Sequence, residues 1–308
     1  MAETLVAPKP LVVRSSGAAP GRRADPRLYQ IAVLGSLLAW GLAALDFDLR
    51  PAAALAIGAT ALGTQFLATR WAGLPRFEPR SALISALSLC LLLRTDSLAL
   101  AAAAAALAIG SKFFIRLRGK HLFNPTNFGI VALLLATDRA WVSPSQWGSA
   151  ALFAFLVACL GGLVVHLAAR SDVTVALLAA WCGVLFGRAL WLGDPFAIPA
   201  HQLQSGALLI FAFFMISDPK TTPDSRAGRI LFAALVALGA GFVQFVLFRT
   251  NGLLWSLAAC SPLVPVIDWL LPGERYRWEA PRAHLARREA RIGRASSAAS
   301  ARAQGVIS

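Results

Sequence analysis

The feature that most limits what this chain can fold into is its succession of long apolar runs. Ten stretches are mostly apolar: 28–45, 51–68, 81–93, 97–115, 123–137, 149–168, 174–192, 204–217, 229–247 and 252–271. A membrane-spanning helix needs about 20 such residues, with a range of roughly 17–25. Seven of the ten approach or reach that length, and 81–93, 123–137 and 204–217 fall short. Only 14% of the residues are charged and 57% are hydrophobic, where a soluble domain carries about 25% and about 45–50%. A soluble enzyme and a disordered chain are both excluded by this arithmetic. The expectation is an all-α polytopic membrane protein with about ten transmembrane helices.

The net charge of +14 points to nucleic acid only if the cations share a face, and they do not. They fall in loops and tails, so no nucleic-acid partner is expected and the lipid bilayer is. With the first residue on the inner side, 24 of the 29 Lys and Arg residues lie in inner loops or tails. The outer loops hold four, Arg50, Arg94, Arg139 and Arg249, and Arg188 lies within a span. Positive charge is retained on the cytoplasmic side, so ten crossings with both termini cytoplasmic are expected, in a bacterial inner membrane. Residues 1–27 read as a disordered basic arm and 273–308 as a basic tail. Cys90, Cys159, Cys182 and Cys260 sit singly in apolar runs, a pattern of packing residues rather than of disulfides or zinc ligands.

Ten spans divide into two sets of five, 28–147 and 148–272. An odd number of crossings in each set inverts one against the other. Unusual features fall at matching places. The short third and eighth segments are followed by Arg94-Thr95-Asp96 and by Ser217-Asp218-Pro219-Lys220. The fifth opens on Phe123-Asn124-Pro125-Thr126-Asn127, and the tenth carries Ser261-Pro262 and Pro265, which predict a break. Short or broken segments line sites in such folds, because irregular backbone needs protein or a cavity around it.

Two inner-face motifs carry the candidate residues. In the run Gly119 to Gly129, Asn124 or Thr126 is placed to cap a helix whose first turn holds Pro125. Its free N–H groups, with Lys120 nearby, favour an anion. Met215 to Pro223 is the matching polar turn, with Asp218, Lys220, Thr221 and Thr222. Arg188, in the seventh span, is open to two readings: snorkelling to the outer interface, or binding an anion or cofactor phosphate in the interior. Asp268, His166 and Gln244 are polar groups at or in spans with ordinary interfacial or interhelical readings.

The stretch Leu93 to Leu135, with Lys112, Lys120 and its Phe-Asn-Pro-Thr run, and the stretch Gly206 to Trp269 resemble the RnfD/NqrB family. The second contains Met-x-x-Asp-Pro-x-Thr-x-Pro (Met215 to Pro223), Gly239 and Gly241, Arg249, Asn251-Gly252, and Pro262, Pro265, Ile267 and Asp268. The resemblance implies ten helices in two inverted five-helix repeats, similar to urea transporters. It also implies an integral membrane subunit of an ion-translocating, flavin-based electron-transport complex, with other membrane or redox subunits as partners. On this reading the chain is at most a subunit of an oxidoreductase. Flavin, as FMN or riboflavin, would be held non-covalently near Lys120, Asn124, Thr126, Asn127, Asp218, Lys220, Thr221, Thr222 and Arg188. The family's known members esterify FMN to a Ser-Gly-Ala-Thr threonine in an outer loop. The corresponding loop here, Asp138 to Ala150, has no threonine, although it carries Trp141 and Trp147, so no covalent site is expected. In this the chain resembles a shorter branch of the family, an enediyne-biosynthesis membrane protein. Two other readings fit the same pattern: a small-solute or ion transporter, and a membrane anchor for a redox or biosynthetic partner. No metal cluster, catalytic triad, P-loop or dinucleotide fingerprint is present in the sequence.

Overall fold

The computed structural model describes residues 25–45, 47–142 and 151–276, with the side chains of 151–157 left aside. Most of the arm, most of the tail, Trp147 and most of the loop Asp138 to Ala150 lie outside the described residues. The chain is a multi-pass membrane protein built almost entirely of helices. Among the described residues, five helices are long and apolar enough to cross a membrane: α1 (Pro26–Ala44), α2 (Pro51–Trp71), α7 (Ser171–Leu192), α10 (Arg226–Phe245) and the run Gly252–Leu270. Shorter apolar helices are α3 (Pro79–Leu92), α4 (Leu98–Phe114), α5 (Pro125–Ala136) and α6 (Ala151–Leu167). A bent pair, α8 (Ala197–Leu203) followed by Gly206–Met215, turns by 50°. One apolar helical element thus stands at each of the ten expected positions.

The helix starts follow from local chemistry. Pro26, Pro51, Pro79 and Pro125 open α1, α2, α3 and α5, where a missing N–H costs nothing. Ser97 caps α4 by accepting from the Leu100 N–H, and Ser225 caps α10 by accepting from the Gly228 N–H. Packing repeats at an offset of five apolar segments. α2 lies on α4 and α4 on α5; likewise α7 lies on α10, and α10 on α11 (Gly252–Cys260). Glycine permits the last contact of each set. A Cβ on Gly129 would stand 2.6 Å from the Ala104 carbonyl oxygen, and one on Gly252 would stand 2.6 Å from that of Ala240.

Three details depart from the sequence reading. The eighth segment is longer than expected and bent at Gln204-Ser205. Its second limb, α9 (Gly206–Ile210), continues into a π-helical turn, Phe211–Met215. The tenth is not broken by its prolines. Ser261–Leu263 tightens into a 3₁₀ turn before α12 (Val264–Leu270), and the Ser261 hydroxyl donates to the Leu257 carbonyl at 2.7 Å. The Leu257 carbonyl also accepts from the Ser261 N–H, so the hydroxyl adds a bond at the join rather than replacing those that Pro262 and Pro265 cannot make. Four short strands are the third departure, since the sequence gives no sign of them. β1 (Leu93–Thr95) continues α3 and pairs antiparallel with β4 (Ala140–Val142), while β2 (Arg116–Leu117) pairs with β3 (Lys120–His121). A helix that stops inside the protein leaves backbone groups that need partners, and strand pairing supplies them.

Candidate functional site

The turn between β3 and α5 and the turn after the π segment meet at one end of the bundle, here the basic end. Asn124 makes the junction. Its Oδ1 accepts from the Asn127 N–H at 3.0 Å, capping α5, and its Nδ2 donates to the Met215 carbonyl at 3.1 Å. The two motifs separated by about a hundred residues are therefore tied through one amide. Beside this junction lies a cavity of about 380 Å³. Its walls come from α2 (Gln65), α3 (Ser81, Ser85, Ser88), α4 (Lys112, Phe113), Asn124 to Thr126, α6 (Val164, Val165) and the second motif (Phe213, Phe214, Ser217 to Lys220).

The cavity is apolar in its walls and cationic in its polar groups. Lys112 is buried at 5% exposure, and its ammonium donates to the Ser81 hydroxyl at 3.0 Å. Arg116 and Lys220 also line it, as does Arg27, which is ion-paired with Glu78 at 3.0 Å. Asp218 is the carboxylate of the second motif. Burial pushes it above the ordinary carboxylate range, against the Lys220 N–H and the charges of Lys112 and Lys220. Lys220 itself is pulled down by burial, with Asp218 opposing. His121 is pushed down to about 4, mainly by burial and then by Arg116, Lys112 and Lys220, so its imidazole is neutral. Its Nδ1 is buried with no hydrogen-bond partner among the described residues. Thr126 sits at the N-terminus of α5 and faces the cavity.

The other expected site residues are placed differently. Lys120 lies beside the cavity wall rather than in it, and its ammonium is saturated. It donates to the Thr222 carbonyl at 2.8 Å, Asp224 at 3.0 Å and Asp268 at 2.8 Å. Thr221 and Thr222 turn their hydroxyls back onto the Asp218 carbonyl, at 3.3 and 3.1 Å. Asn127, fully buried, donates to the Leu254 carbonyl at 3.2 Å and joins α5 to α11. These four hold the fold around the cavity. Arg188 is remote from it: the guanidinium pairs with Asp194 at 3.1 Å, stacks over Phe245 and is 39% exposed, an interfacial placement. The sequence marks Lys112 only as part of the family resemblance, not as a site residue, and does not single out Gln65. Lys112 falls in with a basic loop, and Gln65 is a lone amide in an apolar run, the one signal that marks it.

A second, larger cavity of about 710 Å³ opens at the opposite end. Trp141, Trp181, Phe211 and Phe248 line it, with Gln202 and Gln244 as polar members. Met215 closes its floor, so the Asn124–Met215 bond is part of the partition between the two cavities.

Helical spans with shortened or bent members, two cavities, and polar turns at the shortened segments define a polytopic membrane protein. The resemblance seen in the second motif is borne out. The model of the NQR2, RnfD, RnfE family matches residues 139–277, which include the second motif but not the first. Similar proteins are RnfD-type subunits of ion-translocating oxidoreductase complexes. The chain is 38% identical over 73 residues to the one from Tolumonas auensis, covering 24% of this chain and 21% of that protein. It is 31% identical over 121 residues to the one from Alcanivorax borkumensis (38% and 35%) and 32% over 129 residues to the one from Cronobacter sakazakii (40% and 34%). The matches thus span about a fifth to a third of the length of these relatives.

Proposed function

We propose that this chain is the integral membrane subunit of a flavin-based electron-transport complex, with a flavin held non-covalently in the cavity at the basic end. The observation that carries the reading is the buried Lys112 beside the N-terminus of α5, in a cavity walled by Phe113, Phe213 and Phe214. Aromatic walls suit a planar ring, and a cation with a helix N-terminus suits its carbonyl or phosphate oxygens. The unpaired His121 Nδ1 in the same lining is a further group for a ligand to satisfy. A bound flavin would supply the electron-carrying chemistry. The chain's residues bind and orient: Lys112 and Thr126 as donors, Asn124 as the positioner of α5, Asp218 and Lys220 as the charged rim. No threonine in the loop Asp138 to Ala150 offers an ester site, so the attachment is reversible.

The positive-charge bias supports placing the basic end in the cytoplasm of a bacterial cell, and the recurring helix pairings support two five-helix repeats inverted across the membrane. The relatives are named as subunits of an ion-translocating complex, which supports further membrane or redox subunits as partners and coupling to ion movement. The test is a flavin assay on detergent-purified full-length protein, by absorbance and then by acid release. About one releasable flavin per chain is expected. A colourless preparation from gently treated membranes refutes the reading.

One observation favours a second reading, a small-solute transporter: Asn124 lines one cavity, Met215 lines the other, and the two are joined by a hydrogen bond. Solute flux into vesicles that Asn124→Ala alters, in a flavin-free protein, would select it.

A further inference from the structure

The cavity at the basic end holds hydrogen-bonding capacity of two opposite kinds. Gln65 is 6% exposed and lines it from α2. Its Nε2 approaches the Thr69 hydroxyl oxygen at 3.4 Å, and that hydroxyl gives its proton to the Gln65 main-chain carbonyl at 2.6 Å. Thr69 therefore has no proton for the amide oxygen. The NH₂ end of the amide must face Thr69, and Oε1 is left buried without a donor among the described residues. Lys112, on α4, which packs against α2, has three protons, and one goes to Ser81. In the first turn of α5, Pro125 has no N–H. The Asn127 N–H goes to Asn124 Oδ1 and the Phe128 N–H to the Asn124 carbonyl. The Thr126 N–H is the first-turn donor left over, and Thr126 is a cavity residue.

A buried acceptor that lacks a donor and buried donors with capacity to spare are complementary to one kind of ligand edge. An anion without protons, such as sulfate, answers Lys112 and the Thr126 N–H but offers nothing to Gln65 Oε1. We infer that this cavity selects its ligand through a C(=O)–NH edge, an imide or ureide, with the carbonyl taken by Lys112 and the Thr126 N–H and the N–H taken by Gln65 Oε1. The inference rests on the flavin reading above and deepens it, because the pyrimidine ring of an isoalloxazine carries such an edge at N3. Gln65 becomes the specificity-determining residue and Lys112 the general anchor.

The test compares lumiflavin with 3-methyllumiflavin, which lacks that N–H, by titrating purified full-length protein freed of its bound flavin by dialysis and reading flavin fluorescence. The wild type should bind the methylated ring about tenfold or more weakly, because a site built to pair an N–H rejects a ligand without it. Gln65→Met, which keeps the side-chain volume, should bind both rings within about twofold of each other. Lys112→Met should weaken both by a similar factor, about tenfold. Melting temperatures check that each variant folds, and the two-ligand comparison in the wild type stands even where a variant fails. Equal affinity of the wild type for the two rings overturns the inference while leaving the flavin reading in place. Failure to bind either ring overturns both.

Discussion

Lys120→Met separates a structural role from a ligand-binding one at a residue whose sequence context supports either. Lys120 joins three distant pieces of chain: the β2–β3 hairpin, the turn carrying Thr222 and Asp224, and α12 through Asp268. The three charged side chains are 14, 12 and 17% exposed. A fully exposed pair contributes about 0–1 kcal/mol. Removing one partner of a buried pair costs about 3–5 kcal/mol, because the other charge is stranded. This cluster lies near the buried limit, and methionine strands two carboxylates, although Asp268 keeps the bond it accepts from the Asp224 N–H at 2.7 Å. A loss of about 2–4 kcal/mol is expected. The assay is unfolding in detergent, followed by heat and by denaturant. Lys120→Met/Asp224→Asn/Asp268→Asn should recover part of the loss, because neutral amides can be buried without a cation. Flavin affinity of the fraction that remains folded should change less than it does in Lys112→Met. A Lys120→Met protein within about 0.5 kcal/mol of wild type, or one that is fully stable yet loses flavin, refutes the clasp.

Acid should weaken the fold through His121. The folded value is depressed to about 4 from an ordinary 6.5, so between those values the unfolded chain binds a proton that the folded one does not. Stability is then present above about pH 6.5 and falls as the pH drops toward 4, by up to about 2 kcal/mol at pH 5 relative to neutrality. Melting at the two pH values checks this, and His121→Asn should flatten the difference. Gly129→Ala forces a methyl to 2.6 Å from the Ala104 carbonyl; a loss of about 1–3 kcal/mol in the same unfolding assay is expected, with a similar result for Gly252→Ala against Ala240. Arg188→Met removes a half-exposed pair with Asp194 and should cost no more than about 1 kcal/mol, with flavin content unchanged in the release assay.

What is legible in the sequence is what local chemistry decides. A run of apolar residues needs no partner to be recognised, and each of the ten marks a helical element within a few residues. The Asn124 cap is likewise local: a side-chain acceptor, a proline at the first helical position and a donor three residues on are all within one turn. Proline is the less reliable guide. Pro262 and Pro265 promise a break, yet the span runs through them by tightening into a 3₁₀ turn, while the real bend falls at Gln204-Ser205, which contains neither proline nor glycine. The strands escape notice because three residues from Leu93 pair with three from Ala140, too short a run for any periodicity to register.

The site divides along the same line. Every candidate drawn from the two motifs lies at or near the cavity, because a motif is a piece of local chain and the fold brings the two pieces together through Asn124 and Met215. The role of each residue is another matter, since it depends on what distant chain does with the side chain. Lys120 reads as a ligand for an anion until Asp224 and Asp268, more than a hundred residues on, take its protons. Lys112 reads as one more basic loop residue until α4 carries it inward, where Ser81 gives it a single neutral oxygen. Gln65 gains meaning only from Thr69, whose hydroxyl is already committed to the backbone. Capacity for binding is thus a remainder, the donors and acceptors that folding leaves unspent. In this chain the remainder sits on α2, α4, β3 and the first turn of α5, partly beside the first motif and partly within it.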